Sequence, residues 1–276
     1  MKAFVIALIS VLAFLILSFL LFLLLIKPGK RKGIMDKYKS VKYAHRGLHN
    51  GVRAENSMSA FRAAVEAGFG IELDVRLSSD GELMVFHDDT LDRMTKEKGR
   101  VDSRTAKELS EITLGGTSDT IPKFSEVLRL VDGRVPLLVE IKEEQGKYGV
   151  TEKTAELLRD YNGEFIIESF NPLALARVKE IMPEIPRGFL SQNFLSDKKY
   201  RGFVYFLLQN LLLNVICRPD FIAYNHRDYK NAALRLVRST FGVPTLAWTV
   251  RSEREEQEAI KHGFDSVIFE KYTPPK

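Results

Sequence analysis

From Val41 to Phe269 the chain alternates short apolar runs with helical stretches, and this alternation limits the fold more than any other feature. The apolar runs predict strands over Val41–Ala44, Gly70–Val75, Leu83–Phe86, Leu137–Ile141, Phe165–Ser169, Gly188–Ser191, Phe221–Tyr224, Thr245–Val250 and Ser266–Phe269. Helical patterns fall at Ser57–Ala67, Phe124–Val131, Glu152–Asp160, Leu173–Ile181, Asn231–Ser239 and Glu253–His262. Strands joined through helices form parallel sheets, because a parallel connection needs a long crossover. This many units predict an α/β fold closed into a TIM (β/α)8 barrel. The alternative, an open doubly wound sheet, lacks support from any Gly-rich phosphate loop. One junction breaks the pattern: Asp80-Gly81, between Val75 and Leu83, signals a hairpin turn and no helix. Nine strands for eight barrel positions predict a slightly irregular barrel with one extra strand, whose identity stays open.

Ahead of the barrel, Ala3 to Ile26 is an uncharged run of 24 residues rich in Leu, Ile, Phe and Val. About 20 apolar residues in a helix span the hydrocarbon core of a bilayer, so this run is long enough with some tilt. A cleaved signal peptide would have a shorter apolar region and a small-residue cleavage site. The expected organisation is a transmembrane helix over 1–26, a basic juxtamembrane linker over 27–40, and the barrel domain over 41–276. Lys27 to Lys42 outweighs Lys2, so the positive-inside rule predicts a single-pass membrane protein with its barrel in the cytoplasm.

The net charge of +5 is unevenly spread: residues 1–42 hold eight Lys and Arg against Asp36 alone, which leaves the barrel slightly acidic. Basicity confined to one juxtamembrane stretch fits anionic lipid headgroups and argues against nucleic acid. The single cysteine, Cys217, excludes an intrachain disulfide and a Cys-rich zinc site. The uncharged stretch Gly202 to Ile216, 15 residues long, is too short to span a bilayer. It is expected as a barrel helix buried on one side; a segment dipping into the lipid interface is the alternative. Nothing in the sequence points to a protein partner.

Polar residues stand at the ends of several apolar runs, where such a barrel builds its site. Val41–Ala44 leads into His45-Arg46-Gly47, Gly70-Ile71 into Glu72-Leu73-Asp74, Leu83–Phe86 into His87-Asp88, and Leu137–Val139 into Glu140-Ile141-Lys142. Side chains alternate along a strand, so Glu72 and Asp74 share one face, as do Glu140 and Lys142. Unpaired ions buried in a barrel mouth cost several kcal/mol each, by order of magnitude. A hard divalent cation offsets that cost, because carboxylate oxygens are its natural ligands. A cation with Arg46 and Lys142 would neutralise a phosphodiester, and His45 and His87 would divide the base and acid roles. Singly, each piece has an ordinary reading. A strand-end His is commonly structural, Glu-x-Lys is commonly an ion pair, and Glu55-Asn56 suits the cap of the Ser57 helix.

Taken in order, Ala44-His45-Arg46-Gly47, Glu55-Asn56, Glu72-Leu73-Asp74-Val75, Asp80-Gly81 and Phe86-His87-Asp88 resemble the signature of the glycerophosphodiester phosphodiesterase family. The match continues through Thr90–Thr95, Gly99–Val101, Leu114–Gly116, Ile121-Pro122, Glu140–Lys142, Glu168–Phe170 and Trp248–Val250. The resemblance implies a TIM barrel and Mg2+- or Ca2+-dependent hydrolysis of glycerophosphodiesters to glycerol 3-phosphate and an alcohol. It implies His45 and His87 as the acid/base pair, and Glu72, Asp74 and Glu140 as ligands of one divalent cation. Arg46 and Lys142 would contact phosphate, Glu55 would sit beside the metal or the glycerol hydroxyls, and Trp248 would wall the substrate. The first nucleophile, a substrate hydroxyl giving a cyclic phosphate or a water, stays open. Two positions depart from the family pattern: Arg251 stands where Asn is frequent, and Glu270 where an Asp-containing strand end is usual. Lysophospholipase D-type cleavage of membrane lysophospholipids is the alternative activity. An inactive lipid-binding scaffold is the alternative class, and the complete set of acid/base and acidic residues argues against it.

Overall fold

A computed structural model describes residues 1–29, 31, 33–144 and 149–275. Lys30 and Lys32, two of the expected juxtamembrane charges, lie outside the described residues. A first helix, α1 (Lys2–Ile26), covers the apolar run and is exposed along nearly all its length. It is long and apolar enough to cross a membrane.

The barrel follows as β1 (Tyr43–Ala44), α2 (Met58–Ala67), β2 (Gly70–Leu77), β3 (Leu83–Val85), α3 (Ala106–Ser110), α4 (Phe124–Val131) and β4 (Leu137–Ile141). It continues with α5 (Val150–Arg159), β5 (Phe165–Ser169), α6 (Pro172–Ile181), β6 (Arg187–Ser191), α7 (Phe203–Gln209) and α8 (Asn214–Cys217). The last elements are β7 (Phe221–Asn225), α9 (Ala232–Phe241), β8 (Thr245–Val250), α10 (Glu253–Lys261) and β9 (Ser266–Phe269). Local caps start several of these helices. Ser57 and Asn231 accept hydrogen bonds from the backbone N–H three residues on, and Thr105 forms a reciprocal capping box with Glu108.

Eight strands, all but β3, pair in parallel, and β1 closes the ring by pairing with both β2 and β9. The extra strand is therefore β3. It runs antiparallel to Val75–Leu77, on the β2 edge opposite β4, above the point where short β1 has ended. Because β3 descends where its neighbours ascend, its last residues return to the barrel mouth; the Phe86 N–H donates to the Asp74 carbonyl at 3.0 Å.

Inside the ring, Tyr43, Leu138, Ile166, Leu190, Phe221, Ala223, Leu246 and Ile268 form an apolar layer. Met35 and Tyr38, from the segment expected as a linker, close this layer from below. Other charges of that segment are also taken up by the barrel. Arg31 pairs with Asp220 and donates to the Pro183 and Ile185 carbonyls, and Lys37 pairs with Glu164 at 2.8 Å. Val139, Ile167, Phe189, Ile222, Ala247 and Val267 face outward into the core beneath the helices.

The stretch Gly202–Ile216 is not one half-buried helix. It forms two short helices, and α7 leaves Phe203, Val204 and Phe206 exposed.

Candidate active site

One two-residue step above the apolar layer, the inward positions turn polar. Glu140 stands above Leu138, Glu168 above Ile166, Trp248 above Leu246, Glu270 above Ile268 and His45 above Tyr43. Glu72, Asp74 and Glu140 converge there. Each offers a carboxylate oxygen within 4.8 Å of the others, and all three are buried.

Burial, with repulsion from its neighbours, pushes the Glu140 carboxyl up to about 7 and Glu72 well above its usual range. Burial also opposes the charge of Asp74. Lys142, His87 and Arg46 nonetheless hold it well below the ordinary carboxylate value. Lys142 Nζ lies 3.0 Å from Asp74 Oδ1 and 2.6 Å from Glu140 Oε1. Arg46 Nε lies 3.4 Å from Asp74 Oδ2, to which Asn56 donates at 2.8 Å. The three carboxylates form an all-oxygen set with no thiolate or imidazole among them, and they outnumber the lysine within their reach. They fit a hard divalent cation.

The loop after β1 is tightly fixed around this centre. The Arg46 N–H donates to Glu72 Oε2 at 2.8 Å, and Arg46 adopts φ 56°, a left-handed conformation unusual for a residue with a side chain. Gly47 follows at φ 80°, where a Cβ would lie 2.9 Å from the Ala60 backbone and side chain. Glycine is required there both for the backbone angle and for the close approach of α2.

Glu55 is held between Arg46 (2.7 Å) and Arg93 (2.6 Å) and lies outside the group of three carboxylates. The arginines keep its pKa below the usual carboxylate value although burial raises it. Trp248 packs edge-on against Phe170 with ring centroids 5.5 Å apart, and Phe170 lies beneath Lys142 Nζ.

Each histidine has its own carboxylate. His45 Nδ1 is 2.7 Å from Glu270 Oε2, and His87 Nδ1 is 2.6 Å from Asp88 Oδ1. Burial drives the His45 imidazole down to about 4 despite the pull of Glu270, and burial also lowers His87. With Glu270 ionised, the neutral His45 ring carries its proton on Nδ1 and keeps Nε2 as an acceptor, while Asp88 holds His87 Nδ1 and leaves its Nε2 facing the mouth.

Sequence reasoning missed Glu270 as a site residue, together with Glu168 and His49. His49 Nε2 lies 3.5 Å from Glu270 Oε2. Arg251 Nε donates to Glu270 Oε1 at 2.7 Å, so the two departures from the family pattern contact each other. Burial opposes the Glu270 charge, yet the hydrogen bond with His45, the nearby His49 and the Arg251 guanidinium hold its pKa far below normal. Glu168 is buried, and among the described residues its Oε2 has no hydrogen-bond partner. Burial, Glu72 and Glu140 push its carboxyl well up. The two-residue step that located Glu140 would have found both acids.

A closed parallel barrel whose mouth gathers carboxylates, two histidines, a lysine and an arginine defines a barrel hydrolase for an anionic substrate. The profile of the glycerophosphoryl diester phosphodiesterase family matches residues 45–272. A glycerophosphodiester phosphodiesterase of Caldanaerobacter subterraneus subsp. tengcongensis is 32% identical over 243 residues, covering 83% of this chain and 93% of the relative. Among solved structures, a glycerophosphodiester phosphodiesterase of Thermotoga maritima superposes with a TM-score of 0.64 at 26% identity, covering 83% of this chain and 94% of that one. An Oleispira antarctica phosphodiesterase in complex with the product sn-glycerol-3-phosphate shares the fold, with a TM-score of 0.70 at 24% identity over 83% of this chain and 92% of its own. The chain belongs to the glycerophosphoryl diester phosphodiesterase family, and it is a phosphoric diester hydrolase of that kind.

Proposed function

We propose that this enzyme hydrolyses glycerophosphodiesters to sn-glycerol 3-phosphate and an alcohol at the barrel mouth, with one divalent cation held by Glu72, Asp74 and Glu140. The observation that carries this reading is the convergence of those three buried carboxylates within 4.8 Å. Mg2+ and Ca2+ are the cations their oxygen set suits. When bound, such an ion supplies positive charge against the phosphate oxygens.

The protein's own groups supply the rest. Lys142 and Arg46 orient and neutralise the phosphoryl group, and Trp248 with Phe170 walls the substrate on the β8 side. Glu55, fixed by Arg46 and Arg93, lies within reach of the glycerol hydroxyls. The oxygen that attacks phosphorus loses a proton as the new P–O bond forms. His45, kept neutral by burial and fixed on Glu270, is suited to take that proton at Nε2. The bond from phosphorus to the alcohol oxygen breaks, and His87, its Nδ1 fixed on Asp88, enters this step as the imidazolium and gives its Nε2 proton to the leaving oxygen.

The test is release of glycerol 3-phosphate from glycerophosphocholine by the full chain in detergent, with chelator and with each metal added back. Activity that resists chelation would remove the cation from this account. Activity that survives His45→Ala and His87→Ala would remove the two histidines.

We read α1 as a single-pass membrane anchor, with the barrel in the cytoplasm; a signal sequence is the competing assignment for such a helix. Protease accessibility of the barrel in sealed vesicles decides its side, and the N-terminal sequence of the isolated protein decides whether α1 is retained.

A second substrate class, membrane lysophospholipid, draws support from a run of aromatic rings leaving the mouth. Phe170 contacts Phe194 at 6.0 Å, and Phe194 contacts Tyr200 at 5.1 Å and Tyr205, on α7, at 5.6 Å. An acyl chain has an apolar path along these rings. Parallel assays of lysophosphatidylcholine and glycerophosphocholine separate the two classes, and cleavage of the deacylated compound alone excludes the lipid.

A further inference from the structure

The connection between β6 and β7 carries a second feature that the chemistry of the mouth does not use. Over residues 197–206 it reads Asp-Lys-Lys-Tyr-Arg-Gly-Phe-Val-Tyr-Phe. Tyr205 turns inward onto Phe194 and Tyr200. On the outer side of α7, Phe203 and Phe206, one helical turn apart, stack with ring centroids 5.8 Å apart. Phe203 is 73% exposed, Val204 50% and Phe206 42%, and Leu195 adds a further 46% exposed side chain from the preceding turn. Isolated exposed hydrophobics are ordinary on a protein surface, but four within a twelve-residue segment form a patch that needs a cover. Lys198, Lys199 and Arg201 stand exposed immediately beside it, opposed within the segment only by Asp197.

The position of α1 says what the cover is. Asn214, at the start of α8, donates from Nδ2 to the Ile26 carbonyl at 2.8 Å. Arg218, just after α8, donates to the Lys27 and Leu24 carbonyls at 2.8 and 3.1 Å. α1 packs against α8, the short helix that follows α7 in the same connection. The apolar N-terminal helix therefore leaves the protein from the connection that carries the exposed rings. These bonds, with the Arg31–Asp220 pair, hold the end of α1 against the barrel.

We propose that residues 195–206 dock on an anionic lipid surface, with Phe203, Val204 and Phe206 entering the interface and Lys198, Lys199 and Arg201 meeting the headgroups. Aromatic and aliphatic side chains flanked by cations bind such interfaces by burying apolar area and by attraction to anionic headgroups. The proposal rests on α1 as a membrane span and not on the reaction at the mouth, so either can fail without the other. Docking at this rim would turn the aromatic run of the mouth toward the lipid from which an amphiphilic substrate comes.

The test uses the full chain reconstituted in vesicles of phosphatidylcholine with increasing phosphatidylglycerol. Val204→Cys carries an environment-sensitive fluorophore, since native Cys217 is fully buried and out of reach of the reagent. The expected result is a blue shift and a severalfold fall in quenching by aqueous iodide as phosphatidylglycerol rises, reversed by high salt. The same probe at Val52→Cys, an exposed position outside this segment, should stay open to quencher throughout. The charge reversal Lys198→Glu/Lys199→Glu/Arg201→Glu should abolish the dependence on phosphatidylglycerol while leaving glycerophosphocholine hydrolysis in detergent intact, which also reports its folding. Equal quenching at all lipid compositions overturns the proposal. So does protection that follows the protein-to-lipid ratio instead of lipid charge, which would mean that a second copy covers the face.

Discussion

Removing the cation should destabilise the enzyme far more in alkaline than in acidic solution, and the magnitude follows from one carboxyl. Glu140 ordinarily titrates near 4.5 and is pushed to about 7 by burial, with Asp74 adding repulsion. A raised carboxyl binds its proton more tightly in the folded state than in the unfolded chain. Its contribution to stability is therefore full below 4.5 and is lost as pH rises through about 7. Ionising it in the metal-free fold costs at most about 3–4 kcal/mol, at ~1.4 kcal/mol per pH unit. For a chain of this size that corresponds to at most roughly 6–16 °C in melting temperature, at about 2–4 °C per kcal/mol. A bound cation offsets this cost, because it attracts the same carboxylates that repel one another. The assay is thermal melting in detergent with excess Mg2+ or with chelator, at pH 5.5 and at pH 8. The gap between loaded and chelated protein should widen at pH 8, and Glu140→Gln should remove much of the widening. A gap that is independent of pH, or larger at pH 5.5, would refute the reasoning.

Other perturbations probe the surroundings of the centre. Glu270→Ala deprives His45 Nδ1 of its acceptor and should lower kcat by about 10–100-fold with little change in KM, by analogy with other supports of site histidines; an unchanged kcat in steady-state assays removes Glu270 from the mechanism. Gly47→Ala places a methyl against Ala60 at a positive φ and should cost about 1–3 kcal/mol, the usual range for backbone strain; a denaturant melt within error of the parent contradicts that packing. Phe194→Ala should depress hydrolysis of lysophosphatidylcholine more than that of glycerophosphocholine, and equal losses on the two substrates would show that the aromatic run does not guide acyl chains.

Much of this architecture is legible along the chain. The nine predicted strands coincide with those observed to within two residues at each end, because apolar runs bounded by turns and helical patterns are local signals. Glu72, Asp74 and Glu140 could be placed on inward faces because side chains alternate along a strand. The same step reaches Glu168, which stands in a matched motif, and Glu270, which stands at a departure from the pattern; neither residue's place in the motif says that its side chain enters the mouth. The Gly202–Ile216 stretch illustrates the opposite case. Its uncharged composition predicts burial on one side, whereas the chain breaks into two helices and leaves three apolar side chains of α7 outside.

By itself, the sequence determined which residues face inward, how many strand–helix units there are, and that the first 26 residues suit a bilayer. Those properties depend on spacing and composition within a few turns of chain. Barrel closure decided the rest. It alone sets Glu270 against His45 across 225 residues, and the direction of β3 returns His87 to the mouth. It also gives Arg31 a partner in Asp220, 189 residues away. Periodicity says which way a side chain points, but the distance between two strand ends exists only once the sheet has met itself.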